Sequence, residues 1–415
     1  MSGTASKRPV APRLDVDALI DDPRSRIIVC CGSGGVGKTT TAAAIALRAA
    51  EHGRRVCVLT IDPARRLAQA MGLTELDNTP RAVAGISGGS LSAMMLDMKR
   101  TFDEVVESHS DPDRAEAILA NPFYQALSSS FAGTQEYMAM EKLGQLRAQS
   151  DAEGLWDLIV VDTPPSRSAL DFLDAPERLG SFLDGRFIRI LTAPARGAGK
   201  GIGRILGAGF GLFAGVLTKI LGNQLLTDLS AFVAAVDTMF GGFRERAEAT
   251  YALLKDSGTS FIVVAAPERD ALREASYFVD RLDEDGMPLA GLVLNRVTRV
   301  RAPGLSPEEA TAGAQRLADR PEHRDVAALL GLHADRMRDA ERQRKLAERF
   351  TAAHPHVAVT EVFALPEDIH DLEGLRVIGD LLAGQAAAGD GVADSESRTD
   401  AGSTTHSAAA DADRG

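Results

Sequence analysis

The chain has 415 residues, of which 45% are apolar and 25% charged, and its 46 basic and 58 acidic side chains leave a formal net charge of −12. That balance suits a globular protein of one large or two smaller domains. It argues against a general nucleic-acid-binding surface, which needs a basic stripe to neutralise phosphates. The three cysteines, Cys30, Cys31 and Cys57, lie in apolar runs and form no CxxC pair. Neither a disulfide framework nor a zinc site is therefore expected. The opening residues lack the apolar core of a signal peptide, and with reduced cysteines this makes cytoplasmic residence the expectation.

In chain order, residues 1–20 are polar and proline-bearing and read as a flexible N-terminal segment. The run RIIVCC (26–31) reads as a buried parallel strand that ends in glycines. Residues 38–52 are alanine-rich and read as a helix stopped by Gly53, and RVCVLTI (55–61) reads as a second strand. Strand, loop, helix and strand make a βαβ unit. Residues 91–150 read as helical, with Met94, Phe102, Tyr124, Phe131, Tyr137 and Leu143 as packing candidates. Further strands are expected at 157–161, 187–191, 261–265, 289–294 and 357–363, with helical patterns between most of them. The expected fold is one α/β domain over 21–385, a mostly parallel central sheet of roughly seven strands flanked by helices. It carries a second helical subregion at 201–255 and surface helices over 304–350. The tail 386–415 is acidic, poor in large apolar residues and expected to be disordered.

The decisive segment is GSGGVGKTT at residues 32–40, which matches GxxxxGK[ST] between a predicted strand and a predicted helix. In that context Gly34, Gly35, Val36 and Gly37 turn successive backbone N–H groups toward an anion, and the helix N-terminus adds its own. Lys38 reaches the β- and γ-phosphates, Thr39 is a magnesium ligand, and Thr40 adds a bond to the α-phosphate. ATP and GTP are not distinguished by this motif.

Two aspartates end strands nearby. Asp62 follows the strand 55–61 and precedes Pro63. It orients or deprotonates an attacking water, or it caps the helix that begins there, and both roles fit. LIVVD (158–162) is the Walker B pattern, and Asp162 holds magnesium through a water.

Taken in order, GSGGVGKTT, TIDPAR (60–65), DTPPS (162–166), APE (266–268) and LNR (294–296) give a chain that resembles the arsenite-pump and tail-anchored-protein targeting ATPase family. The resemblance runs over most of residues 25–383. It implies a P-loop fold, magnesium-dependent ATP hydrolysis, and a dimer or pseudo-dimer that sandwiches two nucleotides and moves helical regions as it opens and closes. It further implies that Asp62 is the water-activating residue of switch I and that Asp162 belongs to switch II. Asn295 then reads the adenine ring, with Pro267, Leu365 and Pro366 lining the base.

Three departures stand out. Family members often carry a lysine where this chain has Ser33, and that lysine reaches the partner's nucleotide. Arg65, Arg66 or Arg167 replaces its charge, or a related ATPase subunit supplies it in a heterodimer rather than a homodimer. Otherwise hydrolysis is slow, and the chain is a nucleotide-binding regulatory subunit with little turnover. The switch II segment lacks the family's histidine. No CxxC supports an intersubunit zinc site, and the arsenite-binding cysteines have no counterpart. A partition or positioning ATPase is disfavoured, because no basic run for DNA is evident.

Residues 201–222 read GIGRILGAGFGLFAGVLTKILG, with fourteen uncharged residues between Arg204 and Lys219. That is short of the about 20 needed to span a bilayer. A buried glycine-rich hairpin is the plain reading. The functional one is an apolar surface for a hydrophobic protein client or a peripheral membrane contact, through Phe210, Leu212, Phe213, Leu217 and Ile220, extended by Phe232, Val233, Met239 and Phe240.

Overall fold

In the computed structural model the described residues are 11–62, 66–121, 124–125, 134–164 and 245–385. The first βαβ unit joins β1 (Ile27–Cys31), α2 (Lys38–Glu51) and β2 (Arg55–Thr60), and α1 (Val16–Asp21) precedes it. Then come α3 (Arg66–Ala70), β3 (Arg81–Ala82), β4 (Ser90–Met95), α4 (Met98–His109), α5 (Pro112–Leu119), α6 (Thr134–Glu153) and β5 (Leu158–Asp162). After a helical stretch over 245–255, β6 (Thr259–Ala265), α7 (Arg269–Glu284) and β7 (Leu289–Val297) follow. The chain continues with α8 (Pro307–Leu317), α9 (Arg324–Ala353), β8 (Val359–Phe363) and α10 (Leu372–Leu382).

The strands form one sheet in the order β3-β4-β2-β5-β1-β6-β7-β8, parallel throughout except where β3 pairs antiparallel with β4. Alternate residues of each strand enter different cores. Ile27, Val29 and Cys31 face α4, α5, α6 and α7, while Ile28 and Cys30 face α1, α2 and α10. Both faces being covered, the central strands are continuous apolar runs, the pattern of a sheet wound on both sides. Ala42, Ala43, Ala46, Ala49 and Ala50 of α2 are fully buried, small enough to bring the helix close to the sheet. The thiols are part of this packing: burial pushes Cys31 and Cys57 up to about 12 and Cys30 up as well.

Three expectations need correction. Residues 91–95 belong to β4 and not to a helix. Leu91, Ala93 and Met94 are good helix formers, but pairing beside β2 and burial on both faces outweigh local propensity. The sheet has eight described strands, two of them (β3 and β4) unforeseen, while the strand expected at 187–191 lies outside the described residues. Finally, residues 11–20 are not loose. Arg13 bridges to Val359, Asp15 caps α1 by accepting from the Ala18 amide, and Leu14, Val16 and Ile20 are buried against α2. Residues 1–10, the tail 386–415, Phe131, the side chain of Tyr137 and most of 201–255, including the apolar run, lie outside the described residues. Among the described residues no helix is long and apolar enough to cross a membrane.

Candidate functional site

Because β1, β2, β5, β6, β7 and β8 run parallel, everything that follows these strands lies along one edge of the sheet. The order in the sheet sorts those segments. The loop after β1 is central, Asp62 after β2 and Asp162 at the end of β5 stand on one side, and Pro267, Asn295 and Leu365 stand on the other after or within β6, β7 and β8. An open α/β sheet binds its ligands at this edge, where strand order changes direction around the first strand.

The loop itself depends on two glycines. Gly32 has φ 144, and a Cβ there would overlap the Val264 carbonyl of β6; Gly37 has φ 95, and a Cβ would overlap the Asn295 side chain. Only glycine meets both the backbone and the space requirement. Gly37 is the N-cap of α2 and supplies no side-chain cap, so no capping side chain takes up the N–H groups of the first turn, the kind of helix start that can bind an anion. Gly34 and Gly35 are exposed, and Thr39 and Thr40 are partly so.

Lys38 is buried, and its Nζ donates to the Ser33 carbonyl at 2.8 Å, folding the side chain over its own loop. Burial lowers its pKa against the opposing pull of Asp162, Cys31 and Asp62. Beneath it, Asp162 Oδ2 accepts from the Thr39 hydroxyl at 2.7 Å and from the Thr60 hydroxyl at 2.8 Å. Oδ1 of the same carboxylate is buried without a hydrogen-bond partner. Burial raises Asp162 to about 6 despite both hydroxyls. Thr60 Oγ1 also accepts from the Asp62 amide at 3.2 Å, which ties the end of β2 to the end of β5. The Asp62 carboxylate acts electrostatically on Lys38 and Asp162 alike.

The magnesium ion implied by the loop sequence fits this set of groups. A buried carboxylate oxygen without a partner lies next to a hydroxyl that gives its proton to the other oxygen and keeps its lone pairs. Hard oxygen donors of this kind suit magnesium held with several waters.

On the other side, Asn295 is 9% exposed and both ends of its carboxamide are engaged: Nδ2 donates to the Val36 carbonyl at 2.8 Å, and Oδ1 accepts from the Arg296 amide at 2.9 Å. Arg296 takes φ 61 to make that turn. Asn295 therefore fastens β7 to the phosphate loop. Pro267 is buried, Leu365 half-buried and Pro366 exposed along the same edge. Arg65, the side chain of Arg66, Pro165, Ser166 and Arg167 lie outside the described residues.

Thr60 is the site residue that sequence reading missed. Its signal is register: Thr60 of β2 stands beside Asp162 of β5, and neighbouring positions across strands are not written in either segment alone. A separate cavity of about 1000 Å³ among Glu104, His109, Lys142, Trp156 and Arg246 includes none of the residues singled out for nucleotide chemistry.

Comparison with known proteins gives the same reading. A family model described as Anion-transporting ATPase matches residues 25–302. The chain is 26% identical to ATPase GET3 of Malassezia globosa over 284 residues, 67% of this chain and 75% of that protein. It is 27% identical to ATPase get3 of Aspergillus terreus over 287 residues, 68% and 76% of the two chains. It is also 27% identical to ATPase GET3 of Podospora anserina over 299 residues, 72% and 80%. With the family matched over more than half its length, and with the phosphate loop and its aspartate in contact, this chain belongs to the anion-transporting ATPase family.

Proposed function

We propose that the chain couples magnesium-dependent ATP hydrolysis to the opening and closing of two copies, as a switch in protein targeting or transport. The observation that carries this reading is the joint of Thr39, Asp162 and Thr60 under the phosphate loop, with the unpartnered Asp162 Oδ1 beside it. A magnesium ion there supplies charge neutralisation at the phosphate oxygens. The chain's own groups do the rest. The loop amides and the start of α2 bind the phosphates, and Lys38 leaves the Ser33 carbonyl for the β- and γ-oxygens. Thr39 and Asp162 would hold the metal, Asp162 by way of a water. Asp62 orients and accepts a proton from the attacking water. Pro267, Asn295, Leu365 and Pro366 flank the base, on the side of the sheet away from the two aspartates. We take residues 21–385 as the unit that carries this cycle, and a hydrophobic protein segment as its client.

One observation favours a second reading. Ser33 is uncharged at the position where the resemblance to the family leads one to expect lysine, and its carbonyl already engages Lys38. On that reading the chain binds nucleotide and turns it over little without further help.

Magnesium-dependent ATP turnover of the purified chain separates the two, with Asp62→Asn as control and mass followed by light scattering in the same samples. Turnover that the variant loses, together with ATP-driven dimers, supports the switch. Tight ATP binding with no turnover above that of Asp62→Asn overturns it in favour of the regulatory reading.

A further inference from the structure

The helix α9 is 30 residues long, a rise of about 45 Å, and it runs beside a sheet whose longest strand in this region, β7, has nine residues and spans about 30 Å. Its C-terminal half is anchored, with Phe350 in the core and Leu346 and Ala347 packed on it. Its C-terminus leads into β8, which starts at the edge opposite the phosphate loop, so the N-terminal half, which follows α8, runs toward the phosphate-loop edge. There it is held by α8 and the loop before it: His333 Nε2 bonds to the Leu305 carbonyl at 2.8 Å, and Arg338 donates to the Thr311 hydroxyl at 2.6 Å. A capping box between Ser306 and Glu309 sets the start of α8. The outer face of this hairpin carries large apolar side chains in solvent, Leu329 at 65% and Leu332 at 53% exposure, with Val326 beside them at 46%.

Asp325, Leu329, Leu332 and Arg336 stand at i, i+4, i+7 and i+11 and so share one stripe of the helix. The stripe is its own complement. Turned end over end about the point between Leu330 and Gly331, it sets Leu329 against Leu332 and Asp325 against Arg336. Asp325 and Arg336 are exposed, and among the described residues neither has an ion-pair partner.

We propose that this stripe of α9 is a docking surface for a second copy of the chain, paired antiparallel across a two-fold axis. A two-fold contact uses one patch on both partners, and a patch ordered acid, leucine, leucine, base satisfies itself in that arrangement. An apolar client or a lipid surface would gain nothing from this symmetric order of charges. The patch is small against the about 1,200–2,000 Å² of a stable interface. It therefore sets the register of a pair whose remaining contact is elsewhere on the phosphate-loop edge, and in this it rests on the reading that the chain works as two copies.

Charge reversal on the full chain tests it, with sedimentation equilibrium run with and without ATP and magnesium. Asp325→Arg alone, or Arg336→Asp alone, opposes like charges twice per pair and should weaken dimerisation roughly tenfold. Both changes in one chain restore opposite charges across the axis and should return affinity to near the original. Copies carrying Leu329→Cys mixed with copies carrying Leu332→Cys should form an intermolecular disulfide faster than either alone, since the native thiols are buried. If the reversals leave dimer affinity unchanged, or the double change weakens it further, the pairing is overturned while the two-copy reading stands. If the unaltered chain stays monomeric in every nucleotide state, both fall.

Discussion

The Thr60 hydroxyl donates a 2.8 Å hydrogen bond to Asp162 Oδ2 and accepts from the Asp62 amide at 3.2 Å, so one side chain joins the ends of two neighbouring strands. The consequence is a mechanical link between the aspartate assigned to the metal and the one assigned to the water. Thr60→Val keeps the shape and removes the link. A hydrogen bond to a carboxylate contributes about 1.5–3 kcal/mol, and turnover should fall at least tenfold with ATP affinity changed little. Thr60→Ser should restore most of it. Equal turnover in the valine variant would mean that the two strand ends act independently.

Asp162 gives the chain a pH signature. Its folded value stands near 6 against an ordinary 3.8, so the folded state binds the extra proton. What this group contributes to stability is then present in full below about pH 4 and lost as pH rises through 6. At neutral pH the buried charge costs up to about 3 kcal/mol. Asp162→Asn should therefore melt at a higher temperature than the parent at pH 7.5 without magnesium, and the gap should close as pH falls toward 4. Thermal unfolding at several pH values checks this; a gap independent of pH would count against the buried charge as its cause.

Gly32 and Gly37 differ in what blocks a side chain. At Gly37 the obstacle is the Asn295 carboxamide, and at Gly32 it is the Val264 backbone. Gly37→Ala should lose nucleotide binding, and adding Asn295→Gly should recover part of it, leaving a residual strain of about 1–2 kcal/mol from the positive φ. Gly32→Ala should have no such rescue from any single side-chain change. Isothermal titration with ATP and circular dichroism together separate lost binding from lost fold.

Asn295→Ala removes the tie to the Val36 carbonyl as well as any contact with a base. ATP affinity should fall several-fold, GTP affinity should fall less, and any preference between the two should disappear. A loss equal for both nucleotides would assign Asn295 to holding the loop alone.

Much of this arrangement is legible in the chain. The run 26–31 followed by GSGGVGKTT, and LIVVD before a turn, each encode a local event: a strand, then glycines or a carboxylate at its end. β4 was not legible in this way, because Ser90–Met95 is written in helix-forming residues and becomes a strand only beside β2. Nor was the order of α1, which reads as polar loop until Val16 and Ile20 find α2.

The glycine spacing, Lys38, Thr39 and the two strand-end aspartates could be named as candidates from the chain alone, since they are properties of short contiguous segments, whereas Thr60 could not. The tertiary structure decided which of them touch. Thr60 meets Asp162 and Asn295 meets Val36 across 102 and 259 residues of chain, through register between strands and the close approach that Gly37 allows. Those distances follow from sheet order and packing, which no local pattern records.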